Sequence, residues 1–208
     1  MHDPIFQQVL GAEWQRLGPI IRRHYFLRSY SDDYICVSGQ MDDIHHSTIA
    51  KLLIPFGRLF GAIVPYRGRD IPIDVHYSCR PDNAALYWDR VFKFPRGDFH
   101  FRSHMLPFGE AEVVEYVRFG VGLRLAVSAE EGALVFRSKG FIWRLGRWHI
   151  PVPIGLLFGK AYIEERPVDE ETFSMRLLIE HPLFGLLFRY SGRFTLGERR
   201  SSTPVAAD

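Results

Sequence analysis

The chain has 208 residues, of which 47% are hydrophobic and 24% charged, a composition typical of a folded protein and not of a disordered one. This length predicts one domain, which we place at residues 1–197, before a polar tail at 198–208 that we expect to be disordered. The net charge of +2 is too small to indicate a nucleic-acid partner. The unusual number is the aromatic content of 14%, which includes 17 Phe and 9 Tyr.

The N-terminal pattern, the longest apolar stretch and the cysteines indicate the cellular compartment of the protein. Acidic and amide residues interrupt the N-terminal apolar pattern, so no signal peptide is predicted there. The longest apolar stretch, 49–65, contains Lys51 and Arg58 and is too short and too interrupted to predict a transmembrane segment. We therefore expect a cytoplasmic protein in which Cys36 and Cys79 stay reduced.

Two helices are predicted in the N-terminal third. Apolar residues at helical spacing follow Asp3 and Pro4 and predict a helix over about 4–27, interrupted at Gly18 and Pro19. A strand is expected at 34–41. A second apolar stripe of period 3.6 predicts a helix over 47–63.

The apolar spacing changes from 3.6 to 2 at residue 71 and stays near 2 almost to the end of the chain. The predicted strands are 71–79, 86–94, 99–106, 112–118, 121–128, 134–145, 160–166, 172–180 and 186–196. The connections are too short for crossover helices, so the strands must be mainly antiparallel. The sequence thus predicts a mainly β, α+β fold: a curved antiparallel sheet or half-barrel of nine to ten strands with two N-terminal helices.

A search for catalytic and metal-binding motifs finds no nucleophile elbow, phosphate-binding loop, paired-cysteine motif or zinc-binding helix motif. His100 and His104 share one face of a strand, but they lie about 13 Å apart and cannot bind one metal ion. We therefore expect no catalytic residue, metal or cofactor. The sequence favours a non-catalytic protein over an enzyme.

One charged residue stands within an aromatic strand face. Arg90 lies two residues from both Trp88 and Phe92, so all three point the same way. A buried guanidinium needs a carboxylate or a ligand anion as partner. Glu115, flanked by valines on its own face, could form a structural bridge with Arg90, or both could contact a ligand. The candidate ligand-binding residues are Trp88, Arg90, Phe92, Glu115, His76 and Tyr190.

Several segments together resemble a known bacterial family. They are W-x-R-x-F at 88–92, Ser103, the strand around Glu115, the turn at 146–151, and P-L-F-G-x-L-x-x-Y-x-G-x-F at 182–194. The sequence is similar to domain-of-unknown-function family 4166, from the first helix to about Phe194. The resemblance implies no activity. It implies an intracellular accessory domain, because members occur alone or fused to saccharopine-dehydrogenase-like oxidoreductases and to a membrane protein.

Three functional hypotheses follow. The first is a module that binds a hydrophobic or amphipathic small molecule inside the curved sheet, with Arg90 able to meet a ligand carboxylate or phosphate. The second is an interaction domain for an oxidoreductase or membrane protein, with the first helix or residues 143–158 as contact surface. The third is an enzyme for a hydrophobic substrate, with Arg90, Glu115 and His76 as acid and base groups.

Overall fold

The computed structural model describes residues 3–201, which form four short α-helices and eleven strands. The helices are α1 (Ile5–Leu10), α2 (Pro19–His24), α3 (Ala50–Phe60) and α4 (Gly155–Phe158), with 3-10 helices at Gly11–Arg16 and Arg118–Gly120. The strands are β1 (Tyr34–His46), β2 (Ile71–Ser78), β3 (Leu86–Phe94), β4 (Gly97–Pro107), β5 (Glu112–Tyr116), β6 (Val121–Glu130), β7 (Ala133–Leu145), β8 (Trp148–Val152), β9 (Lys160–Pro167), β10 (Thr172–His181) and β11 (Gly185–Arg200).

Ten of these strands close into an antiparallel barrel in the order β1-β2-β3-β4-β5-β6-β7-β9-β10-β11. The ring closes because β11 pairs with β1 and β7 pairs with both β6 and β9. Strand β8 lies outside the ring and pairs with the last residues of β7. The predicted mainly β, antiparallel class is confirmed. The barrel is closed and is not a half-barrel, which removes the free edges that an open sheet would expose.

The N-terminal segment before β1, residues 3–33, covers one end of the barrel. We call this segment the cap and the end that it covers the capped end. Gly18 donates its backbone N–H to the Gly132 carbonyl at 2.9 Å. A side chain at Gly18 would collide with Pro167, because a Cβ there would lie 2.4 Å from the proline ring. This close approach seats the helices on the β6–β7 turn. Their apolar side chains are buried: Ile5, Phe6, Trp14, Leu17, Ile20, Ile21 and Tyr25.

The other end of the barrel, which we call the mouth, is where β1 ends and β9 begins. Helix α3 follows β1 there, and its end at Gly61, with φ of 66°, turns the chain back toward β2. In the returning segment Ile63 and Val64 are buried, and Gly68 exchanges two backbone hydrogen bonds with Ile44. The 3-10 helix at 118–120, strand β8 and α4 complete the rim of the mouth.

Element boundaries differ from the sequence predictions in four places. The helix predicted over 4–27 is split into α1, a 3-10 helix and α2, because Gly11 has a positive φ and Gly18 is extended before Pro19. The helix predicted over 47–63 is shorter, and the strand predicted at 34–41 continues to His46. Strand β11 runs to Arg200, into the predicted tail, whose residues 202–208 lie outside the described part of the chain.

Candidate functional site

The barrel interior is not filled by side chains. One cavity of about 120 Å³ lies among the inward faces of the strands and is lined by Trp88, Arg90, Phe92 and Tyr190, among others. A second cavity of about 170 Å³ lies nearer the mouth, between α3 and α4. The two adjoin, because they share seven lining residues: Ala62, Ile63, Phe101, Glu115, Leu123, Ala161 and Ile179. Interior space therefore extends from the centre of the barrel toward the mouth.

Arg90, Ser103 and Glu115 form a hydrogen-bonded cluster on the neighbouring strands β3, β4 and β5. Arg90 donates to Ser103 Oγ and to Glu115 Oε1, both at 3.0 Å, and Ser103 donates to Glu115 Oε1 at 2.7 Å. The guanidinium also lies 4.0 Å from the centroid of the Trp88 ring. The sequence offered a bridge or a ligand contact for Arg90, and the bridge is present. Glu115 lines both cavities, so the cluster also faces the interior space.

A second polar group lies deeper in the barrel, against the cap. Glu165 of β9 is buried, and its Oε2 atom is 3.4 Å from His24 Nδ1 of α2 without a hydrogen bond. Trp88 Nε1 and both ring nitrogens of His24 also have no hydrogen-bond partner within residues 3–201. Tyr77 lies between them, 4.6 Å from the His24 ring and 5.1 Å from the Trp88 ring. Unpartnered buried polar atoms are costly, so a ligand that reaches them would gain their hydrogen bonds.

The buried tyrosines of this region keep their phenol protons, and the Tyr25 hydroxyl has no hydrogen-bond partner within residues 3–201. Burial, followed by the nearby Glu165 carboxylate, raises the pKa of Tyr25 and of Tyr77 well above the usual value. Burial also raises the pKa of Tyr190, whose hydroxyl donates to the Val64 carbonyl at 3.5 Å. These phenols stay protonated at neutral pH and do not serve as bases.

The structure gathers five of the six predicted site residues and separates the sixth. Trp88, Arg90, Phe92, Glu115 and Tyr190 all line the interior cavities. His76 does not, because it alternates with the inward Tyr77 along β2 and instead contacts the Tyr34 hydroxyl at 2.7 Å on the outer face. The structure therefore does not support a role for His76 in the interior.

Sequence reasoning missed Glu165 and His24, although the signals were present. Glu165 follows Ala161 and Ile163 at the spacing of two that places all three on the inner face of β9. His24 lies four residues after Ile20, on the apolar face of α2. In both cases one polar residue lies on a face whose other residues are apolar, as Arg90 does on β3.

Other chemistry finds little support in the described residues. Within residues 3–201, no three His, Cys, Asp or Glu side chains are grouped closely enough to hold a metal ion. Both cysteines are free thiols, and burial raises the pKa of Cys79 to about 12, so that this thiol is not a reactive thiolate at neutral pH. No helix in that part of the chain has the length and apolar character needed to cross a bilayer.

Comparisons with known proteins identify relatives over most of the chain. The family model described as "Domain of unknown function (DUF4166)" matches residues 17–194. The chain is also similar to a Bacillus subtilis (strain 168) protein described as "Uncharacterized protein YndH". The two are 26% identical over 174 residues, which cover 79% of this chain and 84% of the relative. The family match at 17–194 begins before α2 and ends within β11, so it includes the residues of the interior site.

Proposed function

We propose that this chain, which belongs to the DUF4166 family, binds a small amphiphile inside its β-barrel. The observation that carries the proposal is the pair of adjoining cavities, one at the centre of the barrel and one between α3 and α4. Well-packed cores have few voids larger than a water molecule. Each of these cavities has room for roughly ten water molecules, and both are lined mainly by apolar residues.

The charges inside the barrel indicate which polar group the ligand carries. Arg90 is already paired with Glu115, so it does not offer an uncompensated positive charge to a ligand acid. Glu165 is a second carboxylate in the same cavity. A ligand carboxylate or phosphate would have to compete with Glu115 for Arg90 and would be repelled by Glu165. An uncharged head group with a hydroxyl or amide N–H can instead donate to Glu115 or Glu165.

The path to the cavities leads through the mouth. Ala62 and Ile63, which follow α3, line both cavities, and Phe56 and Leu157 line the outer one from opposite sides. Within residues 3–201 the capped end is closed behind the inner cavity, because Phe136, which lines that cavity, packs on the buried Phe6 with ring centroids 5.7 Å apart. A ligand therefore enters between α3 and α4, with its apolar part remaining near the mouth.

The test combines native mass spectrometry with a variant that fills the cavities. Ala161 lines both cavities, so the substitution Ala161→Phe should occupy them and abolish ligand binding. Ala126→Phe places the same side chain on the outer face of β6 and is the matched control. We expect the native protein and A126F to retain a bound amphiphile, or to take up 1-decanol in preference to decanoate. Melting curves of both variants check that each remains folded.

Two results would contradict the proposal: native protein that neither carries an amphiphile nor binds decanol, and A161F that remains folded and binds decanol as well as A126F does. Preference for decanoate over decanol would contradict the argument on the head group. An accessory role for a protein partner, an enzymatic activity and a cytoplasmic location stay predictions from the sequence.

A further inference from the structure

Exposed apolar side chains are concentrated at the mouth. Among the described residues, fifteen large hydrophobic side chains are exposed, and thirteen of them lie in four segments: 49–60, 117–120, 143–160 and 181–185. We call these four segments the mouth surface. They adjoin one another, because Phe60 packs on Phe119, Trp143 donates to the Phe119 carbonyl at 2.9 Å, and His181 contacts the Leu156 carbonyl at 2.9 Å.

Helix α3 presents apolar residues both to the barrel and to solvent. Its inner face carries Gly57, which is buried against Ile63. Its outer face carries Leu52, Phe56 and Leu59, at helical spacing and 57–75% exposed. Lys51 and Arg58, seven residues apart, share one side of α3, but its apolar side is wider than the part that is buried against the barrel. The exposed part of that apolar side is a surface that can bind an apolar partner.

The β7–β8 hairpin shows the same property on one face. Trp143 lies opposite Ile150, and Leu145 lies opposite Trp148. Cross-strand partners point to the same side of an antiparallel pair, so these four side chains form one apolar face. All four are at least 40% exposed. Tryptophan side chains with an apolar ring and a polar N–H are enriched where hydrocarbon meets water.

The charges of the mouth surface are of one sign. It contains Lys51, Arg58, Arg118, Arg144, Arg147 and Lys160, and none of the 24 acidic residues of the chain. No ion pair involves any of these six cations within residues 3–201. Exposed leucine, phenylalanine and tryptophan with surrounding Lys and Arg is the combination that binds anionic membrane surfaces.

We propose that the mouth surface docks on an anionic lipid bilayer, with the outer face of α3 and the apolar face of the β7–β8 hairpin inserted at the level of the head groups. The apolar side chains enter the interface while cations beside them, such as Arg58 and Arg147, meet lipid phosphates. Arg144 alternates with Trp143 and Leu145 and instead packs 4.5 Å over the Tyr116 ring. In this orientation the cavity entrance between α3 and α4 faces the membrane, so an amphiphile passes between bilayer and barrel without crossing water. This step rests on the proposed function, whereas the docking itself does not need a ligand.

Vesicle flotation with the purified full chain tests the docking. The vesicles are phosphatidylcholine alone, or phosphatidylcholine with about 30% phosphatidylglycerol, which supplies the negative surface charge. We expect binding to the anionic vesicles that weakens with added salt. The double variants Leu52→Gln with Trp148→Gln, and Arg58→Glu with Arg147→Glu, should each lower the affinity roughly tenfold or more.

The controls lie at the capped end. Val168→Gln removes an exposed apolar side chain there, and Arg16→Glu with Arg23→Glu changes the net charge by the same amount as R58E with R147E. Both controls should bind vesicles as the native protein does. Absence of native binding to anionic vesicles, or an equal loss in the controls, would overturn the proposal. So would a native dimer that L52Q with W148Q converts to a monomer, because a second copy would then cover the surface.

The two proposals fail in distinguishable ways. If docking fails while native mass spectrometry still finds an amphiphile that A161F excludes, only the membrane proposal is wrong. If vesicle binding is present and equal in native protein and A161F, while no amphiphile binds inside, docking stands and the proposed function fails.

Discussion

The two ends of the barrel are both covered by apolar helical segments, but the segments meet different surroundings. At the capped end the apolar side chains of α1 and α2 are buried, from Ile5 to Tyr25. At the mouth, the outer face of α3 and the side chains of Leu156 and Leu157 in α4 remain exposed. Apolar helical residues therefore have different roles at the two ends. At the capped end they stabilise the fold, and at the mouth they form a surface that no described residue of the chain covers.

The charges make the same distinction. The turns at the capped end, residues 79–85, 108–111, 130–132 and 168–171, carry seven acidic residues and one arginine, and the N-terminal segment 3–33 adds four acidic residues and four arginines. The mouth surface carries cations only. The molecule is thus charged unequally along the barrel axis, although its net charge is only +2. Such an arrangement orients the mouth, and not the cap, toward a negatively charged surface.

Removal of the Asp33 carboxylate should have the largest effect on stability. Asp33 is fully buried where the cap meets β11, and it accepts hydrogen bonds from Arg28 at 2.8 and 3.0 Å and from Arg199 at 2.8 Å. Asp33→Ala leaves two guanidiniums without their carboxylate. We expect a loss of about 3–5 kcal/mol in the free energy of unfolding, measured by urea denaturation.

Asp98→Ala, at the exposed start of β4 at the opposite end, is the control and should change stability by less than about 0.5 kcal/mol. Burial alone would raise the pKa of Asp33, but the hydrogen bonds from Arg28 and the charge of Arg199 outweigh burial and lower this pKa. The stabilisation from Asp33 is therefore present at neutral pH and is lost in strong acid, as pH falls toward its depressed pKa. Equal stability of D33A and D98A would contradict this account of the cap.

A matched pair of leucines compares the two ends directly. Leu10 of α1 is 7% exposed, whereas Leu52 of α3 is 75% exposed. Leu10→Ala opens a cavity in the core and should cost about 2–5 kcal/mol. Leu52→Ala removes little buried surface and gives a better helix former, so stability should change by less than about 0.5 kcal/mol. Equal losses in denaturant unfolding would mean that the outer face of α3 is already covered.

Local sequence pattern predicted much of the fold. The spacing of two predicted all nine strands expected after residue 71. It also put Arg90 on one strand face with Trp88 and Phe92, but it left open which face of the sheet is the inner one. Local pattern could not decide whether the curved sheet closes into a full ring, because closure depends on the long-range pairing of β11 with β1 and of β7 with β9. Strand β8 was not separated from its surroundings, since its five residues contain Pro151 and lie outside the ring.

The candidate site was predicted less completely, for physical reasons. Strand parity gives the face of a residue but not its depth in the barrel, so the proximity of Glu165 to His24 required the position of the cap. The difference between cap and mouth is also invisible in the sequence. Both ends are apolar at helical spacing, and only the packing of the helices decides which apolar face is buried.

The smallest predicted effect separates the two ends by pH. Burial, with help from the charge of Arg67, lowers the pKa of His46 to about 4, and this side chain packs at the mouth beside Phe188 and Tyr190. In the unfolded chain a histidine titrates near about 6.5. Between these values the unfolded state binds a proton that the folded state does not, so stability is complete above about pH 6.5 and falls as pH decreases toward about 4.

We therefore expect the native protein to lose about 1–2 kcal/mol between pH 7 and pH 5 through His46, and His46→Gln to lose less. Because the Asp33 carboxylate titrates only at lower pH, mild acid should loosen the mouth before the cap. Hydrogen exchange at pH 5 and pH 7, corrected for the intrinsic rates, should show lower protection first in β1 near His46 and in residues 61–68. An identical acid dependence in native protein and H46Q would contradict the role of His46. Earlier loss of protection in α1 and α2 would mean that the cap is the weaker end and that its buried ion pairs do not hold it as described.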